Sequence, residues 1–145
     1  MVDEFMEHMK TDFEKSLVGE LTYFLGLEVM KIENTIFISQ STYAHNLLKK
    51  FGLESARYKK TPIRTHSKIT RDEAGVSDHQ SLYQSTIRSL LYLTTSRPYL
   101  CQSVGVCTRY QANPKESHLL AVKRIIKYVN GGAEYGLWYF FLYKL

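Results

Sequence analysis

Much of what would announce a function is missing from this chain. It holds two cysteines, Cys101 and Cys107, which is too few for a disulfide framework. Both lie in an apolar stretch and read as reduced core or near-core residues. No segment pairs a basic start with an apolar run, so no secretory signal is read at the acidic, amphipathic N-terminus. The greasy run Leu137-Trp138-Tyr139-Phe140-Phe141-Leu142-Tyr143 falls far short of the ~20 residues a membrane-spanning helix needs. It reads instead as a strand awaiting a neighbour. There is no internal repeat and no low-complexity tract. The expectation is an intracellular, soluble protein with no membrane partner.

Catalytic signatures are equally sparse. The histidines His8, His45, His66, His79 and His118 are scattered, without the paired spacing a metal site needs. Surface or capping roles suit them. A nucleophile elbow, a Walker loop and a dinucleotide fingerprint are all absent. Asp3-Glu4 sits at a helix start, where the macrodipole favours acids, and Asp72-Glu73 sits in a loop. Neither pair lies on a strand-turn-strand that would hold two magnesium ions. The residues therefore predict no catalytic group, no metal site and no cofactor.

What is present is an ordinary globular composition. The 145 residues, 44% hydrophobic and 23% charged, suffice for one domain with a core. The net charge of +5 mildly favours an anionic partner. It is concentrated in Lys49, Lys50, Arg57, Lys59, Lys60, Arg64, Lys68 and Arg71, against Glu54. A solvated basic loop and a binding strip both fit that run. Within Glu20-Leu21-Thr22-Tyr23-Phe24-Leu25-Gly26-Leu27-Glu28-Val29 a glycine interrupts an apolar strand pattern. Glycine there marks a bulge or the close approach of another backbone.

Periodicity supplies the elements. Residues 4–17 read as a helix on the stripe Phe5, Met9, Phe13 and Leu17. Residues 23–31 alternate as one strand, Glu33-Asn34 turns, and 36–38 return as a second strand. Residues 41–51 form a helix capped by Ser41, with Ala44, Leu47, Leu48 and Phe51 inward and Gly52 as its C′ residue. Residues 53–77 read as a long loop, functional or mobile at such length. Helices follow over 80–95 and 99–110, the first with Leu82, Tyr83, Ile87, Leu90, Leu91 and Thr94 as its apolar set. Asn113-Pro114-Lys115-Glu116 opens a further helix, with Asn as N-cap and Pro at N1. Its inward residues are Leu119, Val122, Ile126 and Val129, and Gly131-Gly132 stops it. A strand over 134–143 ends the chain. The fold class is α+β: a β-hairpin, a helical bundle and a C-terminal strand.

The order of motifs resembles the reverse transcriptase of Ty1/copia-type LTR retrotransposons, plant copies especially. The segments are Gly19-Glu20-Leu21 to Gly26-Leu27-Glu28, Phe37-Ile38-Ser39-Gln40-Ser41, Tyr43-Ala44 and Leu47-Leu48-Lys49-Lys50-Phe51-Gly52. They continue through Thr61-Pro62, Ser89-Leu90-Leu91-Tyr92-Leu93, Ser96-Arg97-Pro98 and Asn113-Pro114-Lys115-Glu116-Ser117-His118. Ala121-Val122-Lys123-Arg124-Ile125 and Gly136-Leu137-Trp138-Tyr139 complete the series. The match runs to about Tyr139; the tail beyond it looks like readthrough. The resemblance implies late palm and primer-grip hairpin over 1–40, thumb-like helices with a basic loop over 41–112, and a connection-like helix and strand over 113–145. It also implies that the metal-binding aspartates lie upstream, so the chain alone would be a truncated, inactive polymerase fragment.

Residue by residue, Phe24, Leu25 and Gly26 look like the primer grip, where glycine admits a sugar-phosphate backbone; a plain hairpin kink is the alternative. The helix holding Tyr83, Gln84, Arg88 and Tyr92 looks like the thumb helix along a template–primer duplex. On that reading Gln84 and Arg88 touch nucleic acid, while Tyr83 and Tyr92 also fit a core role. Lys59, Lys60 and Arg64 complete the expected contacts, weak and non-specific. Three departures stand out: Arg88 replaces a usual glycine, Tyr99 a usual aspartate, and Val129-Asn130-Gly131-Gly132 a usual Leu-Lys-Gly-Thr. The competing expectation is a protein-interaction module. Its exposed palm edge would self-associate or engage a chaperone, or would aggregate.

Overall fold

The computed structural model describes residues 22–64 and 68–140. The helix expected over 4–17 lies outside the described residues. The described elements are β1 (Tyr23–Phe24), β2 (Leu27–Ile32), β3 (Thr35–Ser39), α1 (Ser41–Lys50), α2 (Gln80–Leu93), a 3₁₀ turn (Pro98–Leu100), α3 (Cys101–Thr108), α4 (Glu116–Asn130) and β4 (Gly136–Phe140). The class is α+β, with hairpin, helices and final strand in the expected order.

The four strands form one antiparallel sheet in the order β1-β2-β3-β4. The continuous strand expected over 23–31 is broken. Phe24 pairs with Leu27 across a two-residue turn, in which Leu25 and Gly26 take φ of 49° and 80°. Two positive φ values in a two-residue loop define a type I′ hairpin turn, whose twist matches that of the strands it joins. Gly26 therefore turns the chain rather than kinking a strand. The second hairpin closes Ile32 onto Thr35, with Glu33 at φ 46°. The described part of the greasy C-terminal run finds its neighbour in β3, from Ser39↔Gly136 to Thr35↔Phe140; residues 141–143 of the expected strand lie outside the described residues.

The helices make the core. Ala44, Leu47 and Leu48 of α1, Tyr83, Ile87, Leu90 and Leu93 of α2, Val104 and Cys107 of α3, and Val122, Ile125, Ile126 and Val129 of α4 are buried together. Each set follows helical spacing, so each helix turns one stripe inward. Leu82 and Leu91, expected in the α2 stripe, are exposed, because Tyr83, Thr86, Ile87, Leu90 and Leu93 fill the inward face. Cys101 is likewise exposed, whereas Cys107 is buried. Among described strand residues only Ser39 is buried.

Helix ends refine the sequence reading. Gly52 (φ 61°) is the expected C′ residue. Its N–H reaches the Lys49 carbonyl at 3.0 Å and the Leu53 N–H reaches Leu48 at 2.9 Å, the paired bonds of a Schellman motif. Ser41 is not the α1 cap; it is the first helical residue, and Gln40 stands at N-cap without a side-chain cap bond. Glu28, reaching from β2, does that work: its carboxylate accepts the Thr42 N–H at 2.8 Å and the Ser39 hydroxyl at 3.2 Å. Burial alone would raise the Glu28 pKa. The hydrogen bonds from Thr42, Ser39 and Ser41 outweigh it and hold the carboxyl below its ordinary value.

Helix α4 starts later than expected, with Lys115 at N-cap. The reason lies in the preceding backbone. Ser77 and Lys115 form an antiparallel bridge, the Pro114 carbonyl accepts the Asp78 N–H, and the Glu116 N–H donates to Val76. Residues committed to that bridge cannot be helical. His118 then caps from inside: its Nδ1 accepts the Lys115 N–H at 3.0 Å, leaving Nε2 to donate to the Thr70 carbonyl at 2.8 Å.

Candidate nucleic-acid interface

The described parts of the 53–77 segment are strapped to the bundle. One amide, Asn130 Nδ2, donates to the carbonyls of Ala56 (2.9 Å) and Glu54 (3.3 Å). The Lys59 N–H reaches the Lys127 carbonyl at 3.2 Å. Further on, the Tyr110 hydroxyl donates to Ile69 at 2.8 Å, and the Tyr110 ring stacks on His118 with centroids 4.1 Å apart. The segment lacks periodicity because its backbone is satisfied by side chains of α4 and its neighbours rather than by its own helix or strand.

Between this strap and α4 runs a groove of about 450 Å³. Lys59, Arg64 and Lys68 line it from the strap; Lys123, Arg124 and Lys127 line it from α4. Asp72 is the acid among its lining residues, and it accepts the Ser117 hydroxyl. Ile63, Ile69 and Leu120 add apolar surface. Arg124 is anchored by Nη2 on the Thr61 hydroxyl at 2.9 Å, while its buried Nε has no partner. Six cations around one groove sum to a strongly positive local potential. The α4 half escaped the sequence reading, which followed only the apolar face of that helix. The signal was there: Leu120, Lys123, Arg124 and Lys127 recur at helical spacing on the flank away from Val122, Ile126 and Val129.

The expected site residues fall in separate places. Lys59 and Arg64 share the basic groove. Lys60 lines a neighbouring cleft instead. Phe24 and Leu25 are exposed at the hairpin turn. Gly26 meets α2 through Tyr92: the Tyr92 hydroxyl donates to the Leu25 carbonyl, and a Cβ on Gly26 would clash with that hydroxyl. The group that approaches this glycine is thus a tyrosine of the same chain. Arg88 lies one turn before Tyr92 on α2 and is exposed. Gln84 is engaged internally, its amide donating to the Gln111 carbonyl at 3.2 Å. Tyr83 is fully buried, with its hydroxyl on the Cys107 carbonyl at 2.8 Å; burial pushes its phenol above the ordinary range.

The scattered motifs converge on one buried junction where hairpin, α1, α2 and the end of α4 meet. Gln40 accepts the Ser96 hydroxyl at 2.7 Å and donates to the Tyr92 carbonyl at 3.3 Å. Arg97 is 0% exposed. It donates to Ser96 at 3.2 Å, to the Gly132 carbonyl at 3.3 Å and to the Ala133 carbonyl. Those carbonyls follow the C-terminus of α4, where the helix dipole favours a cation. Burial still lowers the Arg97 pKa from its ordinary value. Tyr43 completes the junction, edge-on to Tyr92 at 4.7 Å.

The chain that carries this locked hairpin and basic groove is similar to reverse transcriptases. Residues 1–65 match the family described as reverse transcriptase (RNA-dependent DNA polymerase). The chain is 30% identical over 118 residues to the Retrovirus-related Pol polyprotein from transposon RE2 of Arabidopsis thaliana, covering 81% of this chain and 8% of that polyprotein. It is 27% identical over 136 residues to the Pol polyprotein from transposon TNT 1-94 of Nicotiana tabacum, covering 85% and 10%. An uncharacterized mitochondrial protein of Arabidopsis thaliana is 26% identical over 130 residues, covering 90% of this chain and 54% of that one. The chain thus spans about a tenth or less of the Pol polyproteins it matches. No solved structure matches it. These findings bear out the resemblance to copia-type reverse transcriptases. Among the described residues, no group of three or more His, Cys, Asp or Glu is placed to hold a metal ion. No described helix is long and apolar enough to cross a membrane.

Proposed function

We propose that this chain is a reverse-transcriptase-like segment that binds nucleic acid through its phosphates, weakly and without sequence preference, and makes no DNA by itself. The observation that carries the reading is the groove between strap and α4, with cations from two separate segments facing one space. Lysine and arginine at that density neutralise phosphates and release counterions, so binding should weaken steeply with salt. With about four phosphates neutralised on a single strand, the slope of log K against log salt would be roughly −3. Charge reversal at Lys59, Lys123 and Lys127 should flatten that slope. Salt-insensitive or sequence-selective binding would refute the reading. The absence of synthesis is a primer-extension question: nucleotide incorporation by the purified chain would overturn it.

A second reading, a protein-interaction module, draws support from the sheet. Met30, Ile32, Trp138 and Phe140 share one face by register and are about half exposed or more. Such a surface suits a second copy or a chaperone. Under this reading, reversing Lys59, Lys60 and Arg64 leaves association intact; under the first it abolishes binding.

A further inference from the structure

Next to the basic groove, and sharing Lys59 with it, lies a second cleft of about 270 Å³. Tyr58, Tyr99, Tyr128 and Tyr135 wall it, Lys59 and Lys60 stand at its rim, and Gly131 and Gly132 form its floor. Tyr99 and Tyr128 meet edge-to-face with centroids 6.2 Å apart. The two glycines are there for space. Gly131 has φ −71°, which any residue adopts, yet a Cβ on it would lie 3.0 Å from the Tyr58 ring, and one on Gly132 would lie 2.5 Å from the Tyr135 ring. Their bareness lets two rings lie against the end of α4. Tyr58, Tyr99 and Tyr135 remain about half exposed, so ring faces are open to a ligand.

Resting on the nucleic-acid reading above, we propose that this cleft stacks one unpaired base of a single-stranded nucleic acid, with the flanking phosphates led by Lys59 into the basic groove. The charges decide against the main competitor. Tyrosine rings also attract organic cations, but among the described residues no carboxylate lines this cleft, two ammonium groups rim it and the Arg97 guanidinium lies buried beside Tyr99. The fitting ligand is anionic and carries a flat ring. A volume just under the usual range for small-molecule pockets admits one such ring. A duplex buries its base faces in its own stack, so only a single strand offers one without an unstacking cost.

The test compares a fluorescent oligo(dT), an abasic strand of equal length and charge, and a duplex, by anisotropy with the full chain at low salt. Stacking predicts that oligo(dT) binds roughly 5- to 150-fold tighter than the abasic strand. Tyr58→Leu with Tyr99→Leu should erase that preference while leaving abasic affinity unchanged, and Tyr99→Phe, which keeps a ring face, should retain it. Circular dichroism of each variant checks the fold. Equal affinity for both single strands, a preference that survives the double leucine variant, or tighter binding of the duplex overturns the proposal and leaves the phosphate-binding reading standing. Failure to bind any of the three overturns both.

Discussion

Arg97→Met offers a sharp test of how this fold is held together. The substitution keeps much of the buried volume and removes every donor. The Ala133 carbonyl then loses its donor, whereas the Gly132 carbonyl keeps the Tyr135 N–H at 3.0 Å. That of Ala133 is buried and that of Gly132 partly so. A buried polar group left unsatisfied costs about 1–3 kcal/mol, so the Ala133 carbonyl alone sets a loss of about that size. Opposing this, the variant no longer desolvates a guanidinium, a relief that often makes apolar replacement of complete ion pairs neutral. Here the relief is incomplete, because the acceptors are backbone and stay behind. Ser96 retains Gln40 and adds no further loss. Urea unfolding followed by circular dichroism measures the difference. A loss near ~2 kcal/mol would be a large part of the ~5–15 kcal/mol typical of a domain. Hydrogen exchange should also show β4 amides losing protection before those of α2. A variant within ~0.5 kcal/mol of the parent would refute the argument that the guanidinium, rather than packing, secures the end of α4.

Three further outcomes follow from named contacts. Gly26→Ala should cost about 1–3 kcal/mol by thermal melt, from its left-handed φ and the clash with Tyr92; a neutral effect would show the turn free to move away from α2. Glu28 has a depressed pKa, so its stabilisation is present above its ordinary value of 4.5 and fades as pH falls through the lower folded value. Glu28→Gln should therefore show a flatter loss of stability over that acidic range, and an unchanged acid profile would refute the capping role. One thiol should react with a disulfide reagent in the native chain and two after unfolding: Cys101 is exposed, while burial pushes the Cys107 thiol up to about 11, and the neutral thiol is inert. Rapid native labelling of both would mean that the core opens.

The helical core was readable because Tyr83, Ile87 and Leu90, or Val122, Ile126 and Val129, repeat at helical spacing, and burial follows that period closely. Local chemistry read less well wherever a distant partner intervened. Leu25 hid a turn, since leucine is a poor residue for a left-handed position, and the surrounding alternation suggested one strand. Ser41 looked like a cap because serine usually is one, yet a carboxylate thirteen positions earlier takes that role. Asn113 and Pro114 carry a strong helix-start signal that loses to the bridge between Ser77 and Lys115. Arg97 could not be read as interior from its chemistry; only the carbonyls delivered by the end of α4 make that burial tolerable. The basic groove was half legible, through Lys59 and Arg64. Its other half needed α4 to be laid beside the strap.

The pairing of Thr35 with Phe140 carries a consequence for how the molecule comes into being. The hairpins β1–β2 and β2–β3 close over short loops, but β4 must wait for nearly everything between to be synthesised and packed, since loop-closure entropy is paid before that ladder repays it. On the ribosome, β3 therefore spends its early life with one flank bare. When β4 emerges, it acts as a lid on a sticky surface that the nascent chain has already displayed to its surroundings.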